Sequence, residues 1–233
     1  MTSDLLKNIN FISILSREIT HSSNDTLNIG NHLLKERECE EFKMHKVYSL
    51  GVHPWDTYDF SGPQDSLRIK LKSLIQDPSC LAIGETGLDK LKGPSLDIQK
   101  EVFLTHIALS EELQKPIIIH CVRSYSEILE IYNKKKPKMP WILHDFNHNE
   151  HFVKSVIDKN IYFSLGTNFF MRENSKVVKA IDKIPIDRIL FETDEMNVDV
   201  SELYYKYAKR MKLQLHDVQK RIKENFKRVF LRD

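Results

Sequence analysis

Four apolar runs in this chain each end in a side chain that can bind a metal or move a proton. Leu81-Ala82-Ile83-Gly84 leads into Glu85, Pro116-Ile117-Ile118-Ile119 into His120, Trp141-Ile142-Leu143 into His144, and Ile189-Leu190-Phe191 into Glu192-Thr193-Asp194. Carboxylate oxygens and imidazole nitrogens are donors for divalent ions. An ion held by them lowers the pKa of bound water and polarises a phosphoryl or carbonyl oxygen. The Asp194 carboxylate has the chemistry to accept a proton from an attacking water. One histidine at a strand end is usually structural. Four such ends in succession suggest parallel strands that deliver ligands to one end of a barrel. The expectation is therefore that Glu85, His120, His144 and Asp194 meet around a shared cation at the carboxyl-terminal rim.

Such a rim needs strands and covering helices. Extended segments are predicted at Phe11–Leu15, Thr26–Ile29, Lys46–Val52, Cys80–Glu85, Pro116–His120, Trp141–His144, Ile161–Leu165 and Arg188–Glu192. Several are continuous apolar runs, as expected of parallel strands covered on both faces. Between them, Asp97–Leu113 carries apolar residues close to the 3.6-residue period, and Pro116 ends that helix. Ser124-Tyr125-Ser126-Glu127 has the spacing of a capping box. Helices also fit Pro63–Gln76, Glu150–Asp158, Asn174–Ile181, Ser201–Met211 and Leu215–Phe230, the last with Val218, Ile222, Phe226 and Val229 on one stripe. The first connection, Thr20–Asp25, is too short and polar for a covering helix, which predicts an irregular barrel. The basic turn Lys134–Lys138 reads as a solvated loop in preference to a nucleic-acid contact.

At 233 residues, with 41% apolar and 29% charged residues, the chain suits one large domain, residues 1–233. A net charge of +2 neither demands nor excludes a nucleic-acid partner. No apolar run approaches the roughly 20 residues of a membrane span. The opening Met1–Lys7 lacks a basic region followed by an apolar one, so no signal peptide and no membrane association are expected. Cys39, Cys80 and Cys121 show no pairing pattern, and thiols acting as small apolar fillers in a reducing, cytoplasmic compartment are the simplest reading.

Taken together, Gly51-Val52-His53-Pro54-Trp55, Gly84-Glu85-Thr86-Gly87-Leu88-Asp89, Ile119-His120-Cys121-Val122-Arg123, His144-Asp145-Phe146 and Leu190-Phe191-Glu192-Thr193-Asp194 resemble the TatD family of metal-dependent hydrolases. Glu224-Asn225-Phe226-Lys227-Arg228-Val229-Phe230 resembles that family's final helix. The resemblance runs in order along nearly the whole chain, and the Gly-Glu-x-Gly-Leu-Asp and Glu-Thr-Asp pieces are its most specific parts. It implies an α/β fold, a distorted (β/α)8 TIM barrel. It also implies hydrolysis of phosphodiester bonds, usually in DNA, with one or two divalent ions (Zn, Mg or Mn). By matching motif, Glu85 lies between two metal positions, His120 and His144 complete the second, and Asp194 ligates the first and serves as base. His53 and Arg123 line the mouth, where Arg123 suits a phosphate.

The family opens with Asp-x-His-x-His, whose histidines hold the first metal. The matching positions here are Ser13, Leu15 and Arg17, one face of a strand by alternation. Leu15 cannot ligate, and Arg17 keeps its charge and has no lone pair to give. Glu85, His120 and His144 remain as a three-ligand set compatible with one zinc and an open position, which makes one ion the expectation over two. Arg17 then supplies positive charge towards the substrate, as arginines do at other phosphoryl groups.

Three functions compete. The leading one is a metal-dependent deoxyribonuclease. The second is an inactive barrel that binds or scaffolds, with a protein partner in a larger assembly. The third is an amide hydrolase or deacetylase on the same barrel. Trp55 reads equally as a base-stacking surface or as packing, His21 and His32 as surface histidines, and Asp89 as a loop-ordering carboxylate. Asp145, by strand alternation, is expected to face away from His144.

Overall fold

The computed structural model describes residues 5–16, 24–35, 46–171, 176–194 and 196–231. Arg17, His21, Cys39 and Glu195 lie outside the described residues. Among the described residues there are eight strands, close to the segments predicted, with helices between them from β3 onward: β1 (Phe11–Ser16), β2 (Thr26–Leu33), β3 (Tyr48–Gly51), β4 (Cys80–Asp89), β5 (Ile117–Val122), β6 (Trp141–Leu143), β7 (Ile161–Leu165) and β8 (Ile189–Phe191). The helices are α1 (Gln64–Ile75), α2 (Leu96–Leu113), α3 (Tyr125–Lys135), α4 (Glu150–Val156), α5 (Thr167–Met171), α6 (Lys176–Ile181), α7 (Val200–Met211) and α8 (Leu215–Phe230). They fall into two compact units, Met1–Gly30 with His144–Asp233, and Asn31–Leu143.

In the first unit β1 pairs in parallel with β2, and β7 with β8. A parallel bridge joins Ser16 to Asp194. Every residue of β7 and β8 is buried, as the apolar runs require of strands covered on both faces. The Tyr204 hydroxyl on α7 accepts from the Ile12 amide at 3.0 Å and donates to the Ile12 carbonyl at 3.2 Å. Burial pushes that phenol up from its ordinary value. On α8 the predicted stripe of Val218, Ile222, Phe226 and Val229 is fully buried. From the same helix, Asn225 Nδ2 donates to the carbonyls of Ile186 and Ile189, tying α8 to the start of β8.

In the second unit β3, β4, β5 and β6 pair in parallel and in sequence order. Trp141 is fully buried between Phe103 and Tyr132, ring centroids 5.6 and 5.0 Å away. The capping box expected at Ser124 does not form: Ser124 is the N-cap residue without a side-chain cap bond, and its Oγ is turned to the Leu88 carbonyl, to which it donates at 2.7 Å. The buried thiols of Cys80 and Cys121 are each pushed up to about 12 by burial, which suits apolar fillers.

His106 on α2 is wholly buried; its Nδ1 lies 2.7 Å from the Val102 carbonyl and its Nε2 accepts from the Val52 amide. Since Nε2 accepts, the proton sits on Nδ1 and the ring is neutral. Burial lowers its pKa from 6.5 to about 4. The unfolded chain therefore takes this proton first, and the stability present above pH 6.5 is lost as pH falls towards 4. The loss from this residue is about 2 kcal/mol by pH 5. Urea unfolding of the wild type and of His106→Gln at pH 7 and pH 5 checks this: the gap between them narrows by that amount, and a constant gap contradicts the assignment.

Candidate metal centre

The second unit carries a cluster of ligand-type side chains. β4 delivers Glu85, β5 delivers His120, and the turn after β3 delivers His53 at the head of a 3₁₀ helix, Pro54–Phe60. His120 Nδ1 lies 2.7 Å from Glu85 Oε1, His53 Nε2 lies 3.3 Å from His120 Nδ1, and His53 Nε2 lies 3.4 Å from Glu85 Oε1. All three residues are buried, and one donor atom from each falls within 4.8 Å of the others. Two imidazole nitrogens and one carboxylate oxygen make a donor set suited to zinc and similar divalent ions, so the residues present fit such an ion. Glu85 Oε2 accepts from Asn31 Nδ2 at 3.1 Å, which orients the carboxylate.

His53 is bound on its other side as well. Its Nδ1 accepts from the Trp55 amide at 3.3 Å, which leaves the ring proton on Nε2, directed at Glu85 and His120. The resemblance made His53 a mouth residue; the structure seats it against both of them. As a ligand it would have to move that proton, and as it stands it donates a hydrogen bond.

Behind His120 stands Asp89. Its Oδ2 accepts from Trp55 Nε1 at 2.7 Å and lies 3.3 Å from His120 Nε2, while Oδ1 accepts from the amides of Leu91 at 2.7 Å and Lys92 at 3.1 Å. Asp89 thus orders its loop, as predicted, and also holds a site imidazole. Burial alone would raise its carboxyl, but the hydrogen bonds from His120, Trp55 and Leu91 outweigh that and hold it well below the usual carboxylate range. Trp55 combines the two readings given to it: its indole N–H is packed against Asp89, yet the ring stays 43% exposed, with the Lys92 ammonium 4.3 Å from its centroid. Arg123, just past β5, is exposed with φ 52°.

The first unit carries the other predicted ligands. His144 follows β6, and its Nδ1 lies 2.7 Å from Glu192 Oε1. Asp194 sits at φ 42°, its amide donating to the Leu15 carbonyl at 2.9 Å beside that of Thr193 at 3.2 Å. Leu15 itself is fully buried. Its backbone holds the turn that carries Asp194. Ser13 Oγ accepts from the Thr193 amide at 3.1 Å, reinforcing that turn.

Asp145 corrects the alternation argument. β6 ends at Leu143, and Asp145 adopts φ 37°, so strand periodicity no longer governs it. Its amide donates to the same Glu192 oxygen as His144, at 2.8 Å, and its carboxylate accepts from the Asn168 amide at 2.8 Å. Burial and the nearby Glu192 carboxylate push the Asp145 carboxyl up. Glu192 and Asn31 were not singled out from sequence as site residues. Only Glu192 had a signal, its place in the run that ends at Asp194.

The profile of the family described as TatD related DNase matches residues 13–231. The chain belongs to the TatD family. The crystal structure of YjjV, a TatD homolog from Escherichia coli K12, superposes with a TM-score of 0.81 at 15% identity, covering 96% of this chain and 99% of that one. The eight strands are therefore those of the family's (β/α)8 TIM barrel, distorted by register shifts within the β1–β2, β3–β4 and β4–β5 pairs. Among curated TatD-like relatives, the uncharacterized metal-dependent hydrolase YcfH of Escherichia coli K12 is 31% identical over 150 residues, 64% of this chain and 55% of the relative. The 3'-5' ssDNA/RNA exonuclease TatD of Citrobacter rodentium is 24% identical over 187 residues, 78% of this chain and 70% of that protein. At the level of these leading matches, the chain spans about half the length of the curated relatives it matches. Among the described residues no helix is long and apolar enough to cross a membrane.

Proposed function

We propose that this TatD-family chain is a metal-dependent hydrolase of phosphodiester bonds, a deoxyribonuclease working with one divalent ion (Zn, Mg or Mn). The observation that carries the reading is the buried Glu85–His120 contact of 2.7 Å with His53 beside it. The name of the Citrobacter rodentium relative supports a nucleic-acid substrate. Glu85 and His120 are the residues that would hold the ion, and His144 and Asp194 keep the ligand roles that the resemblance implies. When bound, the ion would lower the pKa of water and polarise the phosphoryl oxygen.

The chain's own groups then divide the work. Asn31 orients Glu85, and Asp89 fixes the His120 ring from its far side. His53 offers its Nε2 proton towards Glu85. Asp194 serves as general base, taking the proton of the attacking water at its carboxylate. Arg123, exposed and beside β5, meets a substrate phosphate; Arg17 takes the same role on the resemblance alone. A reducing compartment, the cytoplasm, suits the buried thiols of Cys80 and Cys121.

One observation favours a second reading, an inactive barrel that binds or scaffolds: Leu15, which the resemblance aligns with a family ligand, is an apolar side chain and fully buried. The test is elemental analysis of the protein purified without chelator, followed by Mn and Zn titration and an assay on single-stranded DNA. The hydrolase reading expects close to one equivalent of metal and DNA cleavage that a chelator stops. Less than about a tenth of an equivalent with none recruited on titration would sink it and leave the scaffold, and full loading with no DNA cleavage would sink it and leave the amide hydrolase beside the scaffold.

A further inference from the structure

Glu192 lies within the motif that ends at Asp194, yet neither the resemblance nor the comparisons give it a task. It is wholly buried, at 0% exposure. An acid placed there needs partners, since a buried carboxylate without them costs several kcal/mol. It has two on one oxygen: Oε1 accepts from the Asp145 amide at 2.8 Å and lies 2.7 Å from His144 Nδ1. A carboxylate only accepts, so the short contact to Nδ1 is one in which the imidazole donates, beside the Asp145 amide. That places the ring proton on Nδ1 and the lone pair on Nε2.

We propose that Glu192 is the positioning residue of His144, its carboxylate holding the Nδ1 proton so that Nε2 is the nitrogen presented for binding. The proposal rests on the reading of His144 as a ligand. A buried carboxylate behind a ligating imidazole fixes the tautomer and the ring plane and raises the basicity of the other nitrogen. The site is built to receive it. A Cβ added at Gly166 would stand 2.8 Å from Glu192 Oε1, 2.9 Å from its Cγ and 3.2 Å from Asp145 Oδ1. The carboxylate packs directly on the backbone at that point, and a side chain at position 166 would push it away. Asn168, two residues after that glycine, donates its amide and its side-chain nitrogen to the Asp145 carboxylate. This fixes the residue whose amide shares Glu192 Oε1.

The experiment reads the tautomer and the metal separately. In metal-free, uniformly 15N-labelled protein, long-range 1H–15N spectra give the tautomer of each histidine, with His144→Gln assigning the resonance. The wild type is expected in the Nδ1–H form. Glu192→Gln keeps an acceptor oxygen and should retain that form, whereas Glu192→Ala and Gly166→Ala should lose it. Zn(II) affinity by competition with a chromophoric chelator should fall roughly 10- to 100-fold in the latter two variants and recover most of that in Glu192→Gln. Thermal unfolding of the metal-free variants identifies any that does not fold; should Glu192→Ala fail, Gly166→Ala against Glu192→Gln carries the comparison. A wild-type His144 protonated on Nε2 overturns the proposal, as does a glutamine variant no better than alanine, or unchanged Zn(II) affinity in every Glu192 and Gly166 variant while His144→Gln weakens it. If the tautomer responds as expected but His144→Gln binds Zn(II) like the wild type, the positioning stands and the ligand reading of His144 falls.

Discussion

His120→Ala is expected to empty the site of metal and abolish chelator-sensitive hydrolysis. His120 is the hub of its cluster, in contact with Glu85 at 2.7 Å, His53 at 3.3 Å and Asp89 at 3.3 Å. On the proposed reading, removing it takes away a ligand, and it leaves two buried carboxylates, Glu85 and Asp89, without the ring between them. The loss of affinity should exceed the roughly 100-fold that follows from losing an outer partner, because a labile zinc is rarely held by two donors. Isothermal titration of Zn(II) or Mn(II) checks this directly. The metal-free variant should also lose about 1–3 kcal/mol, the penalty for stranding buried polar groups. Full metal occupancy in His120→Ala would show that the ligands lie elsewhere.

Gly87→Ala is the second large effect, and it acts through the backbone. Gly87 sits at φ 147° and pairs with His120 across β4 and β5. A Cβ there would stand 2.1 Å from the His120 carbonyl oxygen and 3.0 Å from the His120 amide nitrogen. Neither the φ nor the space admits a side chain, so the two strands must part at the residue that carries the site imidazole. The cost should reach the exceptional range above about 4 kcal/mol, a large share of a typical total of roughly 5–15 kcal/mol. Little folded protein is expected at 37 °C, and none with metal bound. Gly62→Ala, where an added Cβ meets nothing within 4 Å, is the control and should stay within about 0.5 kcal/mol of wild type. Comparable melting temperatures for the two variants would refute the strand-contact argument.

These two residues show where reading the chain succeeds and where it stops. Gly87 and His120 were visible as motif members, since glycine and histidine stand out in apolar runs. Their mutual contact was not visible, because strand register is set by pairing partners far apart in the chain. The same holds for the caps and turns. Ser124 satisfies the local pattern of a capping box, yet its hydroxyl donates its hydrogen bond to Leu88, a partner 36 residues away. Asp145 obeys alternation only while the strand lasts, and β6 stops two residues before it.

Sequence by itself determined the strands and the helical stripes, because burial writes runs and periods of apolar residues that need no partner to be read: β5, β7 and β8 came from continuous runs and the Val218–Val229 face from the helical period. It also determined which residue types stand at the strand ends, and with them the TatD resemblance. Only the tertiary structure decided that Asp89 backs His120, that Glu192 backs His144, that His53 turns its Nε2 inward, and that Leu15 is buried with its carbonyl holding Asp194. The physical reason is that hydrogen bonds and carboxylate–imidazole contacts are short-ranged and directional. Each depends on which backbones the fold brings within about 3 Å, and no local pattern encodes that distance.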